Sequence, residues 1–204
     1  MIGIVDYGVG NLRSVEKAFE AVGAEAVVSP DEGRLAECDA LVLPGVGAFG
    51  DGMAGLRARG LDRFMARAVA GGTPLLGLCL GLQLLFEESD EFGRHTGLGL
   101  LPGRVRRFPD SVRVVPHTGW NVVHAERETA LFDEVPPDSF FYFVHSYHVE
   151  AGEPGDVLAT TEYDGVTFPS VCGRGALFGA QFHPEKSQRA GLALLSGFAR
   201  IAAR

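Results

Sequence analysis

The sequence predicts an α/β fold: a doubly wound, largely parallel central sheet with helices on both faces, and additional antiparallel strands in the C-terminal half. Three observations predict it. In the first half, short apolar β-rich runs alternate with segments whose apolar residues follow helical spacing. From Gly103 to about Phe182 the pattern changes to short strands separated by turn residues. A final stretch, Gln188–Ala202, returns to helical spacing with Leu192, Leu195, Phe198 and Ile201 on one stripe.

The elements follow in order. Met1–Asp6 is apolar and β-rich. Asn11 is a candidate cap for a helix at Leu12–Val22, where Leu12, Val15, Phe19 and Val22 share a face. Ala24–Val28 is a second strand, and Ala40–Leu43 a third, apolar throughout and so expected to be buried on both faces. Leu61–Ala70 is helical and ends at Gly71-Gly72; Pro74–Leu78 is another buried strand, and Leu80–Glu88 is helical again. Further strands are expected at Val112–Val115, Trp120–His124, Phe140–Val144 and Asp156–Glu162. Asp164-Gly165 is a hairpin turn signal, and Arg174-Gly175 is a second, joining Ser170–Cys172 to Ala176–Phe182. No internal repeat, low-complexity tract or linker interrupts the chain, so one domain over residues 1–204 is expected.

Composition narrows the function classes. The formal net charge is −8, and the densest basic patch is only Arg104, Arg106 and Arg107, which argues against nucleic-acid or anionic-membrane binding. No apolar run approaches the ~18 residues of a membrane span, and MIGIVDYG is read as a strand rather than a leader. The three cysteines, Cys38, Cys79 and Cys172, are far apart and lack CxxC spacing. That pattern points away from a disulfide framework or structural metal site and towards a reducing cytoplasm. No metal or cofactor is expected.

Pro74-Leu-Leu-Gly-Leu-Cys79-Leu-Gly-Leu-Gln carries the most chemistry. A buried strand runs straight into a helix, with a cysteine at the junction and Gly77 and Gly81 flanking it at −2 and +2. This is a nucleophile elbow with sulfur in place of a hydroxyl. The turn would present sulfur at the carboxyl end of a strand and at a helix N-terminus, and aim the Leu80 N–H at a developing oxyanion. Cys38 and Cys172 lack such a setting and read as buried structural thiols.

A nucleophilic thiol needs a base, and the base needs an orienting group. His183 follows the strand Ala176–Phe182, and Glu185 lies two residues on, so in extended backbone both side chains point the same way. Of the other histidines, His95 and His124 read as surface residues. His145 is open between a site-lining and a core position, and the roles of His117 and His148 are undetermined. Pro44-Gly45-Val46-Gly47 follows a buried strand and fits a loop whose N–H groups complete an oxyanion hole; a plain glycine turn before a helix fits the same residues. Gly8-Val-Gly10-Asn-Leu-Arg13 with Asp31 begins like a dinucleotide fingerprint but has Arg13 where a third small residue belongs.

Taken together, Gly77-Leu-Cys79-Leu-Gly81-Leu-Gln83 and His183-Pro184-Glu185 resemble the marks of the class I (triad) glutamine amidotransferases. Further blocks resemble one branch, the glutaminase subunits of imidazole glycerol phosphate synthases: Pro44–Gly50, Pro116–Asn121, Tyr142–Tyr147, Thr160–Gly165 and Phe178–Ser187. The resemblance runs nearly the whole length. It implies a Cys79–His183–Glu185 triad and a glutamyl thioester. It implies oxyanion donors at Leu80 and among Gly45, Val46 and Gly47, and glutamine held by Gln83, Glu91, His145 and Ser146. It also implies a separate (β/α)8-barrel cyclase subunit that takes the ammonia, with Lys186, Tyr142, Trp120 and Asn11 as partner-face candidates. The competing readings are a glutaminase serving another synthase, a cysteine-elbow hydrolase or redox sensor, and a non-catalytic domain. The hydrolase and sensor readings leave His183-Pro-Glu185 and Gln83 without a role.

Overall fold

The computed structural model describes residues 1–203. Strands β1 (Ile2–Val5), β2 (Ala26–Ser29), β3 (Ala40–Leu43) and β4 (Leu75–Leu78) alternate with helices α1 (Leu12–Ala21), α2 (Glu32–Ala36), α3 (Phe49–Ala58) and α4 (Leu61–Ala70). Helix α5 (Leu80–Leu84) follows β4 directly. Then come β5 (Glu88–Ser89), β6 (His95–Thr96), β7 (Gly103–Arg107), β8 (His117–Val122), β9 (His124–Ala125), β10 (Phe140–His145), β11 (Tyr147–Ala151), β12 (Val157–Tyr163), β13 (Val166–Arg174) and β14 (Leu177–Ala180). Helix α6 (Gln188–Ala202) closes the order.

The main sheet has eight strands in the order β2-β1-β3-β4-β14-β13-β12-β9. The first five are parallel and the last three join them antiparallel. Two smaller sheets, β10-β8 and β11-β7-β5-β6, stand beside it. Strands β1, β3, β4 and β14 are buried at every position, as their unbroken apolar runs require. Alternation along them separates two cores. Ile2, Ile4, Ala40, Val42, Leu76 and Leu78 pack with Val15 and Phe19 of α1 and Leu194, Leu195 and Phe198 of α6. On the other face Val5, Leu41, Leu43 and Leu75 pack with Phe49, Met53, Leu56, Phe64, Met65 and Leu80.

Several local expectations need correction. Helix α5 stops at Leu84 instead of reaching Glu88. The carbonyls of Leu84, Leu85, Phe86 and Glu87 accept from the N–H groups of residues 97 to 101, so a crossing segment takes the bonds that helix continuation would have used. Val112–Val115 is not a strand: the Arg113 N–H donates to the Asp164 carboxylate and the Val114 carbonyl accepts from the Tyr163 hydroxyl. Asn11 occupies the first boundary of α1 but makes no side-chain cap. Asp31 does cap, accepting from the Arg34 N–H at the start of α2. The Asp164-Gly165 turn has positive φ at both residues, as a type I′ hairpin needs.

Phe198 is fully buried against Phe19 and Phe178. Phe198→Ala is expected to lower unfolding free energy by about 3–5 kcal/mol, read from urea denaturation. A loss below about 1 kcal/mol would show that α6 is not part of the main core.

Candidate active site

Cys79 sits where β4 ends and α5 begins, with φ 54° and ψ −108°, a conformation that L residues rarely adopt. Steric necessity surrounds it. A Cβ on Gly77 would come within 2.6 Å of the Gly81 backbone, and one on Gly81 would overlap the Leu43 carbonyl oxygen. The Cys79 N–H donates to the Ala180 carbonyl at 2.8 Å, which ties the strained turn to β14. Because α5 is only five residues long, its dipole contributes little, and the stronger positive neighbour is His183.

His183 lies just past β14, so adjacent parallel strands deliver Cys79 and His183 to one edge of the sheet. Its Nδ1 lies 2.8 Å from Glu185 Oε1, with both side chains almost completely buried. Its main chain is clamped: the N–H donates to Tyr142 O at 2.9 Å, and its carbonyl accepts from Ser187 Oγ at 2.6 Å. Burial alone would depress the imidazole, but the hydrogen bond to Glu185 and the polar and charge interactions with Cys79 and Glu185 outweigh it and raise the pKa to about 10. Nε2 is buried without a conventional hydrogen-bond partner among the described residues, so its approach to Cys79 is close enough to couple the two but is not a full bond.

Cys79, His183, Leu80, Gln83, Glu91, Val46, Gly47, Val144, His145, Ser146 and Tyr147 enclose a cavity of about 200 Å³, smaller than the clefts that take drug-sized ligands. The Leu80 N–H, at the first position of α5, has no intrahelical acceptor. Opposite it runs the 44–47 loop, whose Val46 and Gly47 are exposed at the cavity while Gly45 is buried beneath. Tyr7 fixes that arrangement: its hydroxyl donates to Pro44 O at 2.7 Å, and no Cβ fits on Gly45 between Tyr7 and Leu80.

A neutral histidine pair backs the cavity. The Tyr147 carbonyl can only accept, so His145 Nδ1, 2.8 Å away, carries the proton and His145 Nε2 is an acceptor. His117 Nδ1, 3.0 Å from it, is then the donor, and His117 Nε2 accepts from Asn121 at 3.2 Å. Burial lowers His117 to about 4 and His145 to about 3, and the second value is pushed further by neighbouring histidines. Phe143 and Tyr163 stack on His117, and Phe108 and Phe168 pack at an angle against His145.

Comparison with known proteins bears directly on this arrangement. A family model described as glutamine amidotransferase class-I matches residues 3–200. The chain belongs to the class I glutamine amidotransferases. Within that family it is 54% identical, over 98% of its own length and 93% of the relative's, to the imidazole glycerol phosphate synthase subunit HisH of Symbiobacterium thermophilum. It is 51% identical to the protein of the same name from Salinibacter ruber, over 98% and 94% of the two chains. Among solved structures, a glutamine amidotransferase superposes with a TM-score of 0.78 over 100% of this chain and 99% of that one, at 21% identity, which speaks to the fold alone.

The amidotransferase fold thus brings the expected Cys79, His183, Leu80, Gln83, Glu91, Val46, Gly47, His145 and Ser146 to one cavity, with Glu185 behind His183 and Gly45 below the surface. Glu91 also closes the start of α3: its Oε2 accepts from the Phe49 N–H at 2.7 Å, where the helix has no side-chain cap of its own. Trp120, Tyr142 and Lys186 form one strip, with rings 6.1 Å apart and the Lys186 ammonium 5.8 Å from the Tyr142 ring. Asn11 is exposed at the start of α1, which packs beside the Pro184–Lys186 turn. Cys172 is fully buried, its thiol pushed up to about 12 by desolvation and then by Asp156. The residues that sequence reasoning did not single out are Tyr7 and Gln181. Gln181 lies two positions before His183, and that proximity was the available signal.

Gly81→Ala is expected to abolish thiol reactivity at Cys79, because the elbow cannot form against the Leu43 carbonyl; retained alkylation of Cys79 at the wild-type rate would refute the steric account. The two depressed histidines set a pH dependence. Their folded pKa values lie below the unfolded ~6.5, so the unfolded chain binds more protons and stability is lost as pH falls from about 6.5 towards 4. His183, with the opposite shift, contributes stability that is complete at low pH and lost only as pH rises towards 10. Denaturant midpoints measured from neutral to mildly acidic pH should therefore decline; a rise on acidification would contradict the neutral assignment.

Proposed function

We propose that this chain hydrolyses glutamine to glutamate and ammonia and passes the ammonia to a separate (β/α)8-barrel cyclase chain, as the glutaminase subunit of an imidazole glycerol phosphate synthase in histidine biosynthesis. The observation that carries the chemistry is the strained Cys79 held against the buried His183–Glu185 pair on one small cavity. The identity to HisH subunits over almost the whole chain carries the choice of synthase.

In the reaction proposed, the Cys79 thiolate attacks the side-chain amide carbon of glutamine. Negative charge develops on the carbonyl oxygen and is met by the Leu80 N–H and by an N–H of the 45–47 segment. His183, protonated and oriented by Glu185, gives its proton to the leaving nitrogen as the C–N bond breaks, which releases ammonia and leaves a glutamyl thioester. Neutral His183 then takes a proton from water attacking the thioester, and the C–S bond breaks to free glutamate and restore the thiolate. Gln83, Glu91 and Ser146 would hold the amino-acid part of the substrate, and His145, whose ring nitrogens are both committed, would line the cavity beside them.

The partner would dock on the strip of Trp120, Tyr142 and Lys186, with Asn11 at its margin. Phe140, Val144 and Trp120 are apolar yet well exposed on the β8–β10 ribbon, which reads as a surface awaiting cover. Val144 also reaches the cavity, and the Tyr142 carbonyl holds the His183 N–H, so pressure on this ribbon would be felt at the base. The working unit would be a heterodimer in the cytoplasm. Among the described residues, no helix is long and apolar enough to cross a membrane.

Ammonia release from glutamine, measured with and without the barrel partner and its nucleotide ligand, tests this reading. Strong activity is expected only when both are present, and Cys79→Ala should lower it by at least about a thousandfold. Trp120→Ala and Lys186→Ala should weaken stimulation by the partner while leaving the unfolding midpoint nearly unchanged. Full activity of the isolated chain would refute the gated reading, and glutamine hydrolysis by Cys79→Ala would refute the mechanism.

A further inference from the structure

Gln181 lies between β14 and His183, and its side chain is fully buried. The two ends of a buried amide are chemically distinct, so partners that can act in only one sense fix its orientation. The Tyr147 carbonyl is such a partner: it can only accept, so the end of Gln83 that lies 3.0 Å from it is the nitrogen. That nitrogen is also 3.1 Å from the Gln181 side chain, whose facing atom is therefore the oxygen. Only one direction remains for the Gln181 Nε2, and it points at Cys79 Sγ, 3.9 Å away. Turning either amide round would set acceptor against acceptor or donor against donor inside the protein.

We propose that Gln181 is a positioning residue for Cys79, its amide N–H holding the sulfur in place and favouring thiolate over thiol. Gln181 is absent from the cavity wall, so it acts through Cys79 and not on a ligand. The same relay commits the Gln83 nitrogen, leaving only its oxygen to meet a ligand's N–H. An N–H directed at sulfur stabilises the charged form more than the neutral one. This deepens the reading of Cys79 as nucleophile and rests on it.

The test is iodoacetamide alkylation of the full chain across about pH 5 to 9, with the labelled cysteine located by peptide mass spectrometry. Two variants are compared with wild type. Gln181→Met keeps the bulk and removes the donor. Gln181→Glu keeps an acceptor for Gln83 and sets a second acceptor against sulfur. Both are expected to alkylate Cys79 roughly tenfold more slowly below the midpoint, with the profile displaced by about one pH unit to higher pH. A side chain that merely fills the core would change the melting temperature and leave the profile where it was. Wild-type chain in which Cys79 reacts no faster than Cys38 or Cys172 would sink the nucleophile reading itself. Selective labelling of Cys79 in wild type, with an unmoved profile in whichever variants fold, would overturn the role of Gln181 alone. If Gln181→Met does not fold, Gln181→Glu decides the matter by the same readout.

Discussion

The contact between Gly81 and the Leu43 carbonyl is the constraint on which the rest of the site depends. Helix α5 can start immediately after β4 only if its second residue passes over the end of β3 with no side chain. That passage forces Cys79 into positive φ and raises its sulfur above the sheet edge. It also fixes how closely the 44–47 loop, which continues β3, can lie to the start of α5. Tyr7 at the end of β1 then anchors the loop at Pro44. Three neighbouring parallel strands thus lead to Cys79, the 44–47 loop and the Tyr7 latch, and the fourth, β14, leads to His183. The chemistry is gathered at the carboxyl edge because the strand order places these ends side by side.

Two buried histidine systems lie within the same wall and behave oppositely. His183 keeps its proton because the polar and charge interactions with Cys79 and Glu185 more than offset the cost of burying charge. His117 and His145 bond to each other and to amide and carbonyl groups, and burial, aided at His145 by neighbouring histidines, keeps both neutral. The division suits a reaction in which one imidazole must move protons. The other pair stays neutral, and a directed set of donors joins it to the Tyr147 carbonyl, Gln83 and Gln181.

The parts of this fold legible from sequence are those set by local pattern. The apolar runs of β3 and β4, the Gly-x-Cys-x-Gly junction, the Asp164-Gly165 turn and the stripe of α6 depend on residues close in the chain. Helix α3 was not legible because Gly50, Gly52 and Gly55 weaken any helical signal. In the structure those glycines admit His95, the Leu80 and Leu84 side chains, and the Tyr7 carbonyl. The end of α5 and the irregular Val112–Val115 segment were set by hydrogen bonds from residues distant in sequence. Tyr7 makes its contact across the sheet edge, which no spacing along the chain announces, and for Gln181 the one signal was its place two residues before His183.

In the proposed reaction Cys79 attacks a glutamine side chain bound in this cavity. Its most direct test is incubation with a diazoketone analogue of glutamine, followed by mass measurement of the whole chain and its peptides. A single adduct is expected, located on Cys79 and suppressed by excess glutamine. An adduct on Cys38 or Cys172, or labelling of Cys79 that glutamine does not protect, would contradict it.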